Sequence, residues 1–306
     1  MSTPLVSVVL PTTGSPYLGE AISSVLAQSM TDFELIVVDS TAMGDLDLSV
    51  WPDPRIRVIK VPWSGVAVAR NAGSAAARAP YIAVMDHDDR WLPAKLERQL
   101  PHLEASPDVG MCHTQYRLID AFGVVTGPGF AVPAAPATDL LAGRFVAVLI
   151  SSSLWRRSVI EEIGGYDPRF GLADDYDLFL KVLRKSKVVL EPSVQYEYRM
   201  HSGNVSRSYK AQYADLVKTL RHHLPALAAQ AGMTGLTHKQ RSALEHSLRA
   251  AYFGPAWDAT VGAVRTQQLR SAIEHGVFAA RMDPALVVRL LAKSAWHRLG
   301  DVHPGS

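Results

Sequence analysis

The stretch that most constrains this chain is Tyr81 to Pro93, YIAVMDHDDRWLP. It opens as an apolar run, Tyr81-Ile82-Ala83-Val84-Met85, long enough for one buried strand. It then breaks into Asp86-His87-Asp88-Asp89. Three carboxylates within four residues at the end of a buried strand repel one another. A fold tolerates such crowding best when a cation sits among them. Asp86 and Asp88, two apart, can both face one site where the chain leaves the strand and turns. Hard oxygen ligands select Mg²⁺ or Mn²⁺, and Mg²⁺ usually binds through one or two carboxylates plus substrate phosphates. The competing reading is a solvated acidic turn that caps the following helix, because Asp is a preferred N-cap residue.

This strand is one of a series. Leu5 to Leu10 (LVSVVL) reads as a buried strand that Pro11 ends. Ser15 is placed to N-cap a helix with Pro16 at its first position. Leu18, Ala21, Ile22, Val25 and Leu26 then recur at three-four spacing, as an amphipathic helix requires. Phe33 to Val38 is a second strand ending in Asp39-Ser40, and Ile56 to Val61 is a third. Thr41 to Pro54 reads as a loop or a short, poor helix. Gly65 to Arg78 is a helix whose small face, Val66, Ala69, Ala72, Gly73 and Ala76, suits close packing on a sheet. Arg70 and Asn71 lie near its start. Trp91 to Leu103 reads as the next helix. Four strands with intervening helices make a doubly wound α/β half, in which ligands bind at the carboxyl ends of the strands. No G-x-G-x-x-G follows the first strand and no Walker A motif exists, which argues against a dinucleotide fold and a P-loop enzyme.

Val109 to Ile119 is a strand. Residues 121–144 are rich in Gly, Pro and Ala and read as a mobile loop over the site. Phe145 to Leu154 is a further strand, and Ser158 to Ile163 a short helix closed by Gly164-Gly165. A second acidic cluster, Asp174, Asp175 and Asp177 in GLADDYDLFLKVL, crowds the start of a helix with Leu178, Phe179, Val182 and Leu183 on its apolar face. The helix dipole accounts for one or two acids there. The remaining one suits a general base for a sugar hydroxyl. Val188 to Leu190 and Val194 to Tyr198 read as short strands. They lead into Tyr198-Arg199-Met200-His201, where a cation and an imidazole two apart suit a diphosphate or a metal; a satisfied surface histidine is the competing reading.

From about Lys210 the chain reads as helical, in the stretches Ala211–Ala231, His238–Tyr252, Asp258–Ala280 and Pro284–Leu299. Seven of the eleven histidines lie here without a metal-ligand motif, so they read as solvated or packing residues. The last stretch, with Trp296, Leu290, Leu291, Arg289, Lys293 and Arg298, is amphipathic and cationic. It packs on its own domain or a second copy, with an anionic membrane surface as the second reading. The formal charge of +2 over 306 residues offers no field for nucleic acid. Cys112 is the only cysteine, which precludes an intramolecular disulfide and favours a cytoplasmic setting. Residues 1–14 lack a basic n-region and do not read as a signal peptide. No apolar run approaches a membrane span.

Taken in order, SVVLPTTG, AISSVLAQSMTDFELIVVDS, GVAVARNAG, YIAVMDHDDRWLP, EEIGGYDPRFGLADDYDLFLKV and YRMHSGNVS resemble the family 2 glycosyltransferases. The resemblance implies a GT-A fold, a mixed and mainly parallel α/β sheet flanked by helices, here with an all-helical C-terminal extension. It sets a transferase domain at 1–208, with a nucleotide-sugar half to about 105 and an acceptor half beyond, followed by helices over 209–306. It implies inverting, metal-dependent transfer (Mn²⁺ or Mg²⁺) from a nucleoside-diphosphate sugar to an acceptor hydroxyl on a glycan, a lipid-linked sugar or a small molecule. Asp86 and Asp88 match the D-x-D acids, with Asp88 the direct metal ligand. Pro11, Thr12, Thr13, Asp39, Arg70 and His87 fall on the donor side. Asp175 matches the catalytic base, while Asp174 and Trp155 fall on the acceptor side. His201 matches a histidine with a metal or phosphate role. Many relatives carry Tyr at Thr13, Asn at Gly14 and Asp at Ser40. A UDP-sugar is the favoured donor, but without that ring and that acid UDP is not assured, and GDP and dTDP donors stay open. A catalytically inactive GT-A binding or scaffold protein is the alternative function. A sugar-phosphate nucleotidyltransferase is disfavoured, because PTTGSPYLG carries no Arg or Lys.

Overall fold

The computed structural model describes residues 3–41, 46–129, 136–144, 149–204, 208–265, 269–284 and 287. In chain order the elements are β1 (Val6–Thr12), α1 (Leu18–Leu26), β2 (Phe33–Asp39), β3 (Ile56–Lys60), α2 (Val66–Ala76), β4 (Tyr81–Val84), β5 (Arg90–Trp91) and α3 (Lys95–Glu104). There follow β6 (Val109–Ile119), β7 (Val125–Pro128), α4 (Pro136–Leu141), β8 (Ser153–Arg156), α5 (Arg157–Glu162), α6 (Asp174–Leu183), β9 (Lys187–Arg199), α7 (Tyr209–Gln230), α8 (His238–Arg265) and α9 (Leu269–Met282).

One mixed sheet runs β3-β2-β1-β4-β8-β6-β9-β5, with β7 paired to β6. Its first half is parallel, as continuous apolar runs buried on both faces require. The register sets Thr12 beside Asp39 and Val9 beside Val84, so the carboxyl ends of β1, β2 and β4 share one edge. Beyond β4 the sheet turns mixed: β8 is antiparallel to β4 and β6, while β9 is parallel to β6. Helices cover both faces. Leu18, Ile22 and Val25 of α1 pack with Leu96, Leu100 and Leu103 of α3 on one side. Residues of α2, α5, α6, α7 and α8 share the core on the other. Gly73 explains the close approach of α2. A Cβ there would lie 2.2 Å from Val9 Cγ1 and 2.9 Å from Val38 Cγ2.

Several boundaries differ from the sequence reading, each for a local reason. Pro11 does not end β1. The β1–β4 ladder has already stopped at Val9, so on that side the missing N–H costs nothing. Ser15 accepts the Tyr17 N–H at 3.2 Å, but α1 starts only at Leu18. Helix α3 begins at Lys95 rather than Trp91. Residues preceding a proline avoid the helical region, and Leu92 instead donates its N–H to the Gln195 carbonyl at 3.0 Å. Part of the glycine-rich stretch is ordered as the β6–β7 hairpin and α4, and residues 130–135 lie outside the described residues. The strand expected over 145–154 is β8, shifted to Ser153–Arg156, while 145–148 lie outside. The two short strands before His201 are one strand, β9, with irregular register beside Thr114–Tyr116. Helix α8 runs through the expected break after Tyr252. Of the last expected stretch, 284–299, only residues 284 and 287 are described.

Candidate active site

The acidic turn after β4 lies at the sheet edge shared by β1 and β2. Met85 N–H still bonds the Val9 carbonyl at 2.9 Å, and the Asp86 N–H bonds Ser151 Oγ at 3.0 Å. From there each side chain takes a different partner. Asp86 Oδ1 accepts from Arg70 Nη2 at 2.9 Å. His87 Nδ1 meets Thr12 Oγ1 at 2.9 Å. Asp88 Oδ2 meets His201 Nε2 at 2.9 Å, with Asn204 Nδ2 at 3.5 Å. Asp89 is fully buried and accepts the Tyr196 hydroxyl at 2.5 Å and the Arg199 N–H at 3.0 Å. Burial first, then the Asp88 and Asp86 charges, push the Asp89 carboxyl well above its ordinary range. The solvated helix cap is therefore excluded for Asp89, and α3 starts without a side-chain cap.

The second acidic cluster opens α6. The chain enters it through Gly171, whose φ of 54° is left-handed and whose Cβ would lie 2.4 Å from Asp215 Oδ2 of α7. Asp174 is buried and receives both contacts of an Arg70 Nη1 fork, at 3.0 and 3.2 Å. Asp177 is buried against His223 Nε2 at 2.7 Å and Lys181 Nζ at 2.6 Å. Asp175 keeps some solvent contact and accepts the N–H of Tyr176 at 2.7 Å. Burial and the Asp174 charge outweigh Arg70 and push its carboxyl up to about 7. Arg70, itself buried, thus spans both clusters. Next to it, Asn71 exchanges two hydrogen bonds with the Tyr166 backbone, at 2.8 and 2.9 Å, and anchors the approach to α6.

At the far end of the same edge, Asp39 is buried and caps the following turn, accepting Thr41 N–H at 2.9 Å and Thr41 Oγ1 at 2.7 Å. Burial alone would raise this carboxyl, but those donors and the Leu46 N–H hold it below its usual range. Ser40 Oγ is buried without a hydrogen-bond partner among the described residues. Thr12 and Pro11 are buried, and Thr13 is exposed beside them.

The structure therefore brings Thr12, Asp39, Arg70, Asp86, His87, Asp88, Asp174, Asp175 and His201 to one edge of the sheet. Trp155 is the exception. It lies in β8 at 1% exposure, packed in the core, because its strand position alternates inward beside Ile82 and Met111. Arg70 is held by two aspartates rather than left open. Arg199 is fully buried and faces inward rather than toward a diphosphate. Sequence reasoning named Asp89 and Asn71 without giving them a role, and passed over Tyr17 and Asn204. The third acid of DHDD was the available signal, because a turn needs no third exposed carboxylate. Among the described residues no three His, Cys, Asp or Glu side chains form a ready-made metal cage, and no helix is long and apolar enough to cross a membrane.

The family model described as glycosyl transferase family 2 matches residues 7–163. The succinoglycan biosynthesis protein ExoO of Rhizobium meliloti is 27% identical over 64% of this chain and 60% of its own length. A Rickettsia felis protein described as an uncharacterized glycosyltransferase is 28% identical over 67% of this chain and 35% of its own length. The chain thus spans less than two thirds of either relative. Among solved structures, the mannosyltransferase PcManGT from Pyrobaculum calidifontis, in complex with GDP-Man and Mn²⁺, matches with a TM-score of 0.58 and 20% identity, covering 97% of this chain and 81% of that one. S. aureus TarS 1-349 in complex with UDP-GlcNAc matches with a TM-score of 0.56 and 13% identity, covering 90% of this chain and 91% of that one. These likenesses establish a GT-A fold.

Proposed function

This chain belongs to glycosyl transferase family 2, and from that premise we propose that it moves a glycosyl group from a nucleoside-diphosphate sugar to an acceptor hydroxyl with inversion. The observation that carries the reading is Arg70, which joins Asp86 at 2.9 Å to Asp174 at 3.0 Å and so couples a metal-type turn to a base-type helix start.

The donor set of the turn suits a hard cation. Asp86 and Asp88 would supply two carboxylates and His201 an imidazole, and phosphate oxygens would complete a Mn²⁺ or Mg²⁺ site of this kind. Such an ion, when bound, offsets the charge that develops on the leaving diphosphate. Thr12, Thr13, Pro11, Asp39 and His87 would line the nucleoside end. Asp175, with a carboxyl near neutrality, takes the acceptor proton as the hydroxyl attacks the anomeric carbon. A single displacement needs one base, unlike the paired carboxylates of glycosidases. The acceptor is a glycan, a lipid-linked sugar or a small metabolite.

A thermal-shift panel tests this. UDP, GDP and dTDP are each added with and without Mn²⁺ to wild type and Asp88→Ala. One diphosphate should raise Tm only with Mn²⁺, and only in wild type, since a ligand that binds the folded state alone stabilises it. No shift with any of them at millimolar concentration would remove the donor reading.

A further inference from the structure

We infer that Arg199, acting with Asp89, is the positioning residue of the Asp86–Asp89 turn and holds Asp88 in the orientation from which it takes up the divalent cation. The inference rests on the transferase reading above.

A guanidinium at 0% exposure is costly unless its donors are met. Those of Arg199 are. Nε donates to the Asp88 carbonyl at 2.8 Å. Nη2 donates to Glu20 at 2.7 Å, and Nη1 reaches the Asp120 and Ala121 carbonyls of the β6–β7 hairpin at 3.4 Å. The Tyr17 ring lies 4.5 Å from the guanidinium carbon. One buried cation thus joins α1, the acidic turn and the hairpin.

The turn is held from two sides. The guanidinium fixes the peptide carbonyl that follows the Asp88 side chain. One residue on, the Asp89 carboxylate reaches back to the Arg199 N–H at 3.0 Å and the Tyr196 hydroxyl at 2.5 Å. With that peptide plane fixed, Asp88 has little freedom except about its own side-chain torsions. The same segment then presents the partners of the Asp88 carboxylate. His201 Nε2 lies at 2.9 Å, and Asn204, which also donates to the Arg199 carbonyl at 2.9 Å, lies at 3.5 Å. Tyr17 packs against His201 in a tilted arrangement, with ring centroids 4.8 Å apart, as well as against Arg199. Arg199 is sealed from solvent and touches no substrate, so its role is positioning. A lysine offers one point charge in place of the fork and cannot reproduce these bonds.

The test uses the full chain as Arg199→Lys and as Tyr196→Phe, which removes only the hydroxyl bonded to Asp89. Mn²⁺ is titrated by electron paramagnetic resonance in the presence of UDP, GDP or dTDP. Nucleotide affinity is measured separately in EDTA, and circular dichroism checks the fold. Groups that orient metal ligands typically contribute 10–100-fold in affinity, so Arg199→Lys should weaken Mn²⁺ binding by about 10–100-fold. Tyr196→Phe should weaken it by a smaller factor. Metal-free nucleotide affinity should stay within about twofold, which a general loosening of the fold would not allow. A folded Arg199→Lys that binds Mn²⁺ like wild type overturns the inference. So does a parallel loss of metal-free nucleotide binding. If Arg199→Lys does not fold, unchanged Mn²⁺ affinity in Tyr196→Phe overturns it. If wild type takes up no Mn²⁺ with any of the three nucleotides, the metal-dependent transferase reading falls and this inference falls with it.

Discussion

The turn Asp86–Asp89 and the helix start Asp174–Asp177 each carry three carboxylates within four residues, yet they are neutralised by different means. In the turn, every carboxylate has a donor from elsewhere in the chain: Arg70 for Asp86, His201 for Asp88, and Tyr196 with the Arg199 N–H for Asp89. At the start of α6 the donors are unevenly shared. Asp174 holds Arg70, and Asp177 holds His223 and Lys181. Asp175 has the N–H of its own neighbour, and burial lifts it to about 7. The count of acids is the same. What differs is how many donors the rest of the fold delivers, and under the proposed transfer that difference would separate a ligand set from a proton acceptor.

Asp175→Asn tests the under-donated carboxylate and carries the largest expected effect. If Asp175 is the base, transfer of labelled sugar should fall by about 10²–10⁴. A variant within about tenfold of wild type would strip Asp175 of that role. The wild-type profile should agree: only the ionised carboxylate accepts a proton, so kcat/KM should drop as pH falls through about 7.

Arg70→Met removes the cation that both clusters share. Asp174 is then left buried without its partner, an expected cost of about 3–5 kcal/mol in urea unfolding. A loss below about 1 kcal/mol would mean that the pair behaves like a surface ion pair and that the two clusters are independent.

His223→Leu probes how α7 supports the helix start. The buried charge-assisted bond to Asp177 goes, although Lys181 remains, so a loss of about 1–3 kcal/mol is expected. Unchanged unfolding would show that Lys181 alone neutralises Asp177.

The last expected effect is a pH-dependent one. A carboxyl raised in the folded state binds its proton more tightly there than when unfolded, so its contribution to stability falls as pH climbs from the ordinary carboxylate range to about 7. Asp175→Asn lacks this loss. Its Tm should exceed that of wild type at pH 8, and the gap should shrink toward pH 5. A gap that is constant with pH would place the Asp175 pKa in its ordinary range.

Much of this was legible in the residues themselves. The strands β1, β2 and β4, the small face of α2 and the two acidic clusters follow from neighbouring residues, because apolar runs and periodic faces decide burial locally. Trp155, set on the acceptor side by the resemblance, is instead buried in the core, because a resemblance in sequence does not say which face of a strand a side chain takes. The edge β5 and the hairpin β7 were missed for a related reason: both exist by pairing with strands that are distant or turned back on themselves.

The sequence by itself determined the parallel half-sheet, the position of its carboxyl edge and the acids that arrive there. Only the tertiary structure decided which partners those acids meet. The contacts that surround them join residues 104 apart for Arg70 and Asp174 and 113 for His201 and Asp88, and the buried Arg199 beneath the turn reaches Glu20 at a separation of 179. Desolvation and donor supply set a carboxylate's proton affinity, and both are properties of the folded surroundings rather than of adjacent residues.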